Sequence, residues 1–192
     1  MRLVRLAKPT VEELEELRTA AGIESFNYQP DILDGSAPDA MHSDVTEIFL
    51  GAEDATWRAA KRALREWAHF DLGWVGIATG GRPAQPGLDV IVYASLYAIQ
   101  FTVACRVLST HDVVDGYGER FGFTYGSLES HVEAGEEKFE VVRNQDGQVF
   151  YRIDVVARPA RWYAVIAKPL VESQRRRFRQ DSATAMKKYV SL

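Results

Sequence analysis

Apolar and polar residues alternate through the second half of the chain, and a period of two residues is typical of a β-strand with one buried face. Because turn residues such as those at 144–147 separate the alternating segments by short distances, the strands are expected to form an antiparallel meander. The predicted strands lie near residues 88–96, 101–109, 121–127, 136–143 and 148–158, with shorter strands near residues 3–6, 45–50 and 74–78.

An apolar period close to that of an α-helix predicts three helices in the rest of the chain. Thr10 and Glu13 fit a capping box at the start of the first helix, which Gly22 can end. The second is expected over residues 53–70 and the third over residues 170–189. The apolar stripe of the second helix consists of Trp57, Ala60, Leu64 and Trp67.

Residues 26–40 are predicted to form a loop, because proline, glycine and aspartate punctuate them. The loop opens with Phe26, Asn27 and Tyr28. Two roles are open for these residues: an apolar anchor for a long loop, or a lid over a pocket. The anchor is favoured, because long loops need apolar contacts to hold them in place.

The order of these elements predicts an α+β fold, and a single domain over residues 1–192 is expected. Its parts would be an N-terminal helix and loop (1–45), a helix with the antiparallel sheet (45–168) and a C-terminal helix (169–192). The economical packing lays the last helix across the concave face of a strongly curved sheet. This is the helix-grip arrangement of START and Bet v 1-like proteins, in which a cavity lies between helix and sheet.

The alternation also predicts which side chains share a face of the sheet. Alternate residues of 121–127 and of 149–157 form aromatic and apolar faces that end in small or hydroxyl-bearing residues. Such a face suits a packed core, or a pocket with a few polar groups. The side chains expected to contact a ligand are Phe123, Tyr125, Tyr93, Arg106 and Tyr151.

Composition narrows the possible functions. A net charge of -4 is unlike the basic footprint of a nucleic-acid-binding protein. The single cysteine, Cys105, excludes an internal disulfide and fits the reducing cytoplasm, and the first residues lack the apolar core of a signal peptide. The nearly uncharged residues 90–107 approach the length of a membrane span, but their polar and β-branched members favour two buried strands.

One cluster has residue types suited to proton transfer or metal binding: His131 and Glu133, followed by Glu136 and Glu137. A carboxylate can hold a histidine in one tautomer and tune its pKa. The spacing matches no strong metal pattern and cofactor motifs are missing, so neither metal nor cofactor is expected. A structural hairpin is favoured, and Glu136 and Glu137 could simply protect a strand edge. If the site is catalytic, His131, Glu133 and Tyr125 are the candidates.

Two further features carry charge. Arg106 alternates with apolar neighbours, so it is either paired at the surface or points into the space under the last helix, where it could anchor a carboxylate or phosphate. Cys105 would lie on the opposite face as an inert buried thiol. One face of the last helix is basic, which predicts a solvated surface or, as the alternative, a docking face for an acidic partner.

Residues 122–128, His131 and residues 135–139 together resemble the signature GFxYGTLxGHxExGEExF of the domain-of-unknown-function 1990 family. The resemblance spans essentially the whole chain. It supports the importance of the central motif and implies no particular reaction. Other matching pieces, in order, are residues 26–28, Trp67, Trp74, residues 105–107, residues 158–159, Pro169, Gln174 and Phe178.

Two functions are consistent with the predicted cavity. The first is binding of a hydrophobic small molecule or lipid-like metabolite between the sheet and the last helix. The second is a cofactor-free cyclase or isomerase acting on a polyketide-like or other apolar biosynthetic intermediate, because enclosure restricts a flexible substrate and excludes water. Neither function involves nucleic acid or stable insertion into a membrane.

Overall fold

A computed structural model describes residues 4–33, 41–96, 99–162 and 168–192. Within these ranges the helices are α1 (Val11–Ala21), α2 (Asp54–Arg65) and α3 (Lys168–Val190), with a short 3-10 turn at Ala68–Phe70. The strands are β1 (Val4–Arg5), β2 (His42–Gly51), β3 (Val75–Ala78), β4 (Asp89–Leu96), β5 (Ile99–Asp115), β6 (Gly118–Ser127), β7 (Glu133–Arg143) and β8 (Val149–Pro159).

The strands form one antiparallel sheet in the order β2-β8-β7-β6-β5-β4-β3, and β1 pairs with the start of β5. The predicted meander is therefore confirmed from β3 to β8. The helices α2 and α3 pack on the face of the sheet that we call the inner face, whereas α1 packs on the outer face against β3, β4 and β5. This arrangement is the predicted α+β helix-grip fold.

The first helix begins as the capping box predicted. The Thr10 hydroxyl accepts a hydrogen bond from the Glu13 N–H, and the Glu13 carboxylate accepts one from the Thr10 N–H. These bonds satisfy backbone donors that the first turn would otherwise leave unpaired. The apolar residues of α1 then pack with Ile91 and Ala104 in a small core on the outer face.

The second helix ends earlier than predicted. It stops at Arg65, and Trp67 adopts a left-handed backbone conformation with φ of 58° before the 3-10 turn begins. Such a conformation cannot continue a right-handed helix. The predicted apolar stripe is nevertheless confirmed, because Trp57, Ala60, Leu64 and Trp67 all enter the core of the inner face.

Within the apolar run of residues 90–107, the described residues 90–96 and 99–107 form β4 and the first part of β5. The prediction of two consecutive strands is therefore confirmed, although β5 is longer than expected and is irregular between Val107 and Ser109. None of the helices in the described parts of the chain is both long and apolar enough to cross a membrane.

The loop that starts at Phe26 is anchored as predicted, and Glu136 is the residue that holds it. The Glu136 carboxylate accepts hydrogen bonds from the Tyr28 hydroxyl at 3.0 Å and from the N–H groups of Asp31 at 2.7 Å and Leu33 at 3.1 Å. Since β7 lies in the middle of the sheet, Glu136 does not protect a strand edge. Residues 34–40 of the predicted loop lie outside the described residues.

Candidate functional site

Three rows of side chains across β6, β7 and β8 control how the inner face is filled. Each row follows from the register of the strands, and side-chain size falls from the first row to the third. In the third row, a Cβ atom on Gly135 would lie 2.1 Å from the Val156 carbonyl oxygen, so no other residue fits there. The rows are Phe123, Phe139 and Ile153; then Tyr125, Glu137 and Val155; then Ser127, Gly135 and Ala157.

The first row belongs to a densely packed aromatic region that we call the packed end. It lies beneath α2 and the 3-10 turn. The centroids of its contacting rings are separated by 4.7 Å, for Trp67 and Phe123, to 6.3 Å, for Trp67 and Phe70. Packing of this kind leaves no space for a ligand. The packed end consists of Trp67, His69, Phe70, Phe123, Phe139, Tyr151 and Ile153, of which Phe70 also borders the cavity.

The second and third rows border a cavity of about 440 Å³, which we call the open end. Its volume lies in the range of small-molecule sites. Apolar side chains from β4, β5 and β8 form most of its wall, and Phe178 of α3 closes it from above. The polar residues are concentrated on β6, β7 and α3. The polar residues that line it are Ser95, Tyr125, Ser127, His131, Glu133, Glu136, Glu137, Gln174, Arg175 and Arg179.

Tyr125 and Glu137 form a hydrogen-bonded pair on the cavity wall. They are direct neighbours in the register of β6 and β7, and the Tyr125 hydroxyl donates to Glu137 Oε2 at 2.7 Å. Burial raises the pKa of Glu137 to about 7, although the hydrogen bond from Tyr125 acts in the opposite direction. Burial also raises the pKa of Tyr125 well above its ordinary value. Near neutral pH, the carboxyl group can therefore both accept and release a proton.

Glu133 joins the sheet to the last helix through Arg175. The guanidinium group donates to both carboxylate oxygens, with Nε 3.2 Å from Oε2. Burial raises the pKa of Glu133 above its ordinary value, and the positive charge of Arg175 opposes this shift. Both side chains are half-buried, and the two residues are 42 positions apart in the sequence. It fixes the first turns of α3 over the cavity.

His131 lies on the cavity wall beside this pair. Its Nδ1 atom lies 2.9 Å from the Glu133 backbone nitrogen, from whose N–H it can accept a hydrogen bond, and 3.0 Å from the Glu133 carbonyl oxygen. Burial lowers the pKa of His131 to about 4, and Arg175 acts in the same direction. At neutral pH the ring is therefore uncharged. His131 both shapes the turn before β7 and faces the cavity.

Two of the residues expected to contact a ligand, Phe123 and Tyr151, lie in the packed end and not on the cavity wall. The Tyr151 hydroxyl is 2.9 Å from the Ser182 hydroxyl of α3, so its polar group is used in packing. A third, Tyr93, lies on the outer face, where its ring covers Gly76 and the Lys8 ammonium group approaches it. None of these three side chains lines the cavity. Of that group, Tyr125 alone lines it.

Arg106 points away from the cavity. It pairs with Asp89 at 2.6 Å, and it donates to the carbonyl oxygens of Ala21 and Glu24 at 3.1 Å, at the end of α1. The idea that it anchors a ligand under the last helix is corrected by this geometry. The neighbouring Cys105 faces the cavity instead, and burial raises the pKa of its thiol. The thiol therefore stays protonated, in agreement with its interpretation as inert.

Sequence reasoning placed Glu137 in a surface hairpin and gave Gln174 no part in the site. The alternation of side chains along β7 indicates that Glu137 points inward, because it is two residues from Phe139 and therefore shares its face. Gln174 is four residues before Phe178 and shares its helical face. Among the described residues, no group of three or more histidine, cysteine, aspartate or glutamate side chains is arranged to hold a metal ion.

Comparison with known sequences identifies the family. The sequence model described as "Domain of unknown function (DUF1990)" matches residues 27–185, and the chain belongs to this family. A UPF0548 protein of Dictyostelium discoideum is 31% identical over 155 residues, which cover 77% of this chain and 72% of that protein. A UPF0548 protein of Deinococcus radiodurans is 31% identical over 160 residues, covering 76% of each chain.

Solved structures with the same fold include both enzymes and proteins described as hypothetical. The ZhuI aromatase/cyclase from Streptomyces sp. R1128 has a TM-score of 0.51 at 13% identity, covering 79% of this chain and 94% of that one. A norcoclaurine synthase from Thalictrum flavum has a TM-score of 0.50 at 13% identity, with coverage of 78% and 94%. A hypothetical protein of Helicobacter pylori has a TM-score of 0.50 at 11% identity, with coverage of 86% and 96%. At these identities the likeness shows the fold alone.

Proposed function

We propose that this member of the DUF1990 family binds a hydrophobic small molecule or lipid-like metabolite in the cavity between the sheet and α3. The observation that carries the proposal is the cavity of about 440 Å³ with a mostly apolar wall. Removal of apolar ligand surface from water would supply most of the binding free energy. The single cysteine and the absence of a basic surplus in the sequence fit a cytoplasmic protein that acts on a small molecule.

The wall of the open end explains why an apolar compound would enter. Val92 and Val103 are direct partners across β4 and β5, Val155 lies three strands away on β8, and each of the three side chains borders the cavity on one side. Empty apolar space of this size leaves these side chains without van der Waals partners on one side. A ligand of matching shape restores those contacts without changing the backbone of the sheet.

Native mass spectrometry of the protein purified from its own host tests the proposal. We expect a retained apolar compound that organic solvent releases. Protein freed of this compound should bind 2-methylnaphthalene, an apolar probe without hydrogen-bonding groups. Failure of both experiments would overturn the proposed function.

A cavity-filling variant locates the binding. In Val103→Phe the added ring occupies the cavity, so the affinity for 2-methylnaphthalene should fall at least about tenfold while the fold is retained. The matched control is Val113→Phe on the same strand, where the side chain is 40% exposed and distant from the cavity wall. Equal affinities of the two variants would place the binding elsewhere.

A second function, cofactor-free cyclisation or isomerisation of an apolar biosynthetic intermediate, is favoured by the Tyr125–Glu137 pair. A carboxyl group with a pKa of about 7 in an apolar cavity is matched to proton transfer at neutral pH. In this mechanism Glu137 takes a proton from a carbon next to a carbonyl group and returns it to another atom of the substrate, so no co-reactant is needed. His131 would donate from Nε2 to the substrate oxygen, and Glu133 would keep His131 and α3 in position.

The enzyme function is tested with the compound recovered from the host. Glu137→Gln and Tyr125→Phe should abolish or strongly reduce its conversion while its binding persists, and His131→Ala should reduce conversion less. The matched control is Glu129→Gln, an exposed carboxylate away from the cavity wall. If the compound is bound but remains unchanged by the parent protein, the enzyme function is excluded for that compound and the binding function stands.

A further inference from the structure

Two side chains of the cavity wall have acceptor oxygen atoms that the protein leaves short of donors. Within the described residues, Gln174 Oε1 is buried and accepts no hydrogen bond. Among those same residues, the Glu137 carboxylate accepts a hydrogen bond from Tyr125 and forms no ion pair. A carboxylate offers about four acceptor sites, so most of the capacity of Glu137 remains available. Buried acceptors without donors are destabilising, and a ligand that supplies a donor would relieve this.

The positive groups of the same wall are already occupied. Arg175 directs two of its nitrogen atoms to Glu133, and Arg179 forms an ion pair with Asp44 of β2. A ligand carboxylate would have to compete with these partners, and it would also enter a cavity that contains Glu137. Repulsion between like charges in an apolar site disfavours that arrangement.

The remainder of the wall disfavours a strongly hydrated cation, because its side chains are mostly apolar. Phe70, Val92 and Phe178 are among the apolar residues that surround the polar groups. A ligand ammonium group would lose its hydration there, and each of the three carboxylates on the described part of the wall already has a partner: Glu133 is paired with Arg175, Glu136 accepts from Tyr28 and Glu137 accepts from Tyr125. A neutral donor avoids the larger part of this desolvation.

We infer that the compound bound in this cavity is neutral and apolar and carries a hydroxyl group, whose single O–H donates a hydrogen bond to an acceptor oxygen of Glu137 or Gln174. The inference rests on the proposed binding function and specifies the chemical class of the ligand. It names alcohols and phenols with an apolar body, and it disfavours fatty acids and other apolar carboxylates. A hydroxyl group can also accept a hydrogen bond, which suits a site where the Tyr125 hydroxyl lies beside the carboxylate.

A matched set of naphthalene compounds tests this class by isothermal titration calorimetry at neutral pH. The set consists of 2-naphthol, 2-methoxynaphthalene and 2-naphthoate, with 2-methylnaphthalene as the probe of apolar binding alone. We expect 2-naphthol to bind about tenfold more tightly than 2-methoxynaphthalene, because one hydrogen bond to a charged or buried acceptor contributes about that factor. We expect 2-naphthoate to bind more weakly than both.

Variants of Gln174 and Glu137 show whether the cavity wall recognises the hydroxyl group through a hydrogen bond. In Gln174→Met the side chain keeps its length and loses its acceptor, so the ratio of the affinities for 2-naphthol and 2-methoxynaphthalene should shrink severalfold. The matched control is Gln180→Met on the same helix, where the side chain is exposed and outside the cavity wall. In Glu137→Gln an amide donor replaces carboxylate oxygen, so 2-methoxynaphthalene should gain affinity relative to 2-naphthol.

The outcomes separate the inference from the function on which it rests. Equal affinities for 2-naphthol and 2-methoxynaphthalene, or tightest binding of 2-naphthoate, would overturn the inference while binding of 2-methylnaphthalene upholds the proposed function. If none of the four compounds binds and no compound is retained from the host, the proposed function fails as well. A hydroxyl advantage that Gln174→Met and Glu137→Gln both leave intact would also contradict the inference.

Discussion

The packed end and the open end lie on the same three strands, two to four residues apart. At the packed end, Phe123 and Phe139 fill the space beneath α2 with aromatic rings. At the open end, Ser127, Gly135 and Ala157 occupy equivalent positions in the pleat and fill almost none of the space beneath α3. Because backbone geometry is shared, side-chain size and the position of α2 account for the difference. The cavity therefore reflects side-chain choice within a continuous sheet.

Each end contains a buried titratable group, and the two groups differ in the direction of their pKa shift and in their access to the cavity. His69 is fully buried in the packed end, and neither ring nitrogen has a hydrogen-bond partner within the described residues. Burial lowers the pKa of His69 to about 3, whereas burial raises the pKa of Glu137 to about 7. In both groups burial disfavours the charged form, because charge is costly in apolar surroundings. Only Glu137 can reach a ligand, since it faces the cavity.

Truncation of an aromatic ring gives the largest expected contrast between the ends. Phe139 has no solvent exposure and contacts five other rings, so Phe139→Ala should lower the free energy of unfolding by about 3–5 kcal/mol. Phe101 borders the cavity and is partly exposed, so Phe101→Ala should cost about 1–2 kcal/mol. Urea unfolding measures both. Equal costs would mean that the open end is as tightly packed as the other.

Acid should destabilise the packed end through His69. Between pH 6.5 and about 3 the unfolded histidine binds a proton that the folded one excludes, so stability falls as the pH falls through this window. The loss due to this group is about 1.4 kcal/mol per pH unit, or about 2 kcal/mol between pH 6.5 and 5. His69→Leu should remove that slope relative to the parent protein in urea unfolding at several pH values. An unchanged slope would contradict the burial of a neutral His69.

The stability contribution of Glu137 should change with pH in the opposite direction to that of His69. Its folded pKa of about 7 lies above that of an unfolded glutamate, so the folded state holds a proton that the unfolded state releases between about pH 4.5 and 7. The contribution of this group is therefore most favourable at low pH and is lost as the pH rises through that window. As the pH rises from 4.5 to 7, the free energy of unfolding of Glu137→Gln should rise by about 1 kcal/mol relative to that of the parent protein. The value is modest because cavity water screens part of the charge. A carbon-13 titration of the Glu137 carboxyl carbon gives its pKa directly.

The smallest expected effect concerns the ion pair that holds α3 over the cavity. A double-mutant cycle with Glu133→Gln and Arg175→Met should give a coupling energy of about 0.5–1 kcal/mol, since both side chains are partly exposed. Dissociation of 2-methylnaphthalene should accelerate in either single variant, because the first turns of α3 are less firmly fixed. Arg177 with Asp181, an exposed pair on the same helix, serves as the control. A coupling energy near zero would show that this ion pair does not hold α3 over the cavity.

Much of the fold could be predicted because local patterns decided it. The capping box of α1, the strands β4 to β8 and the apolar stripe of α2 each follow from a period of two or 3.6 residues and from turn residues. The long central motif also directed attention to β6 and β7, where the candidate site lies. The end of α2 could not be predicted, because the left-handed conformation of Trp67 is imposed by the surrounding core and not by its own preference.

The sequence by itself determined the antiparallel meander of β3 to β8, the residues that share each face and the presence of a long amphipathic last helix. It did not determine which face of β5 looks toward that helix, because alternation defines two faces without distinguishing them. Only the tertiary structure decided that Cys105 borders the cavity while Arg106 caps α1 on the outer face. It also brought Arg175 to Glu133 and buried Glu137 beside Tyr125. Contacts between distant segments depend on how helices cover the sheet, and no local period records that.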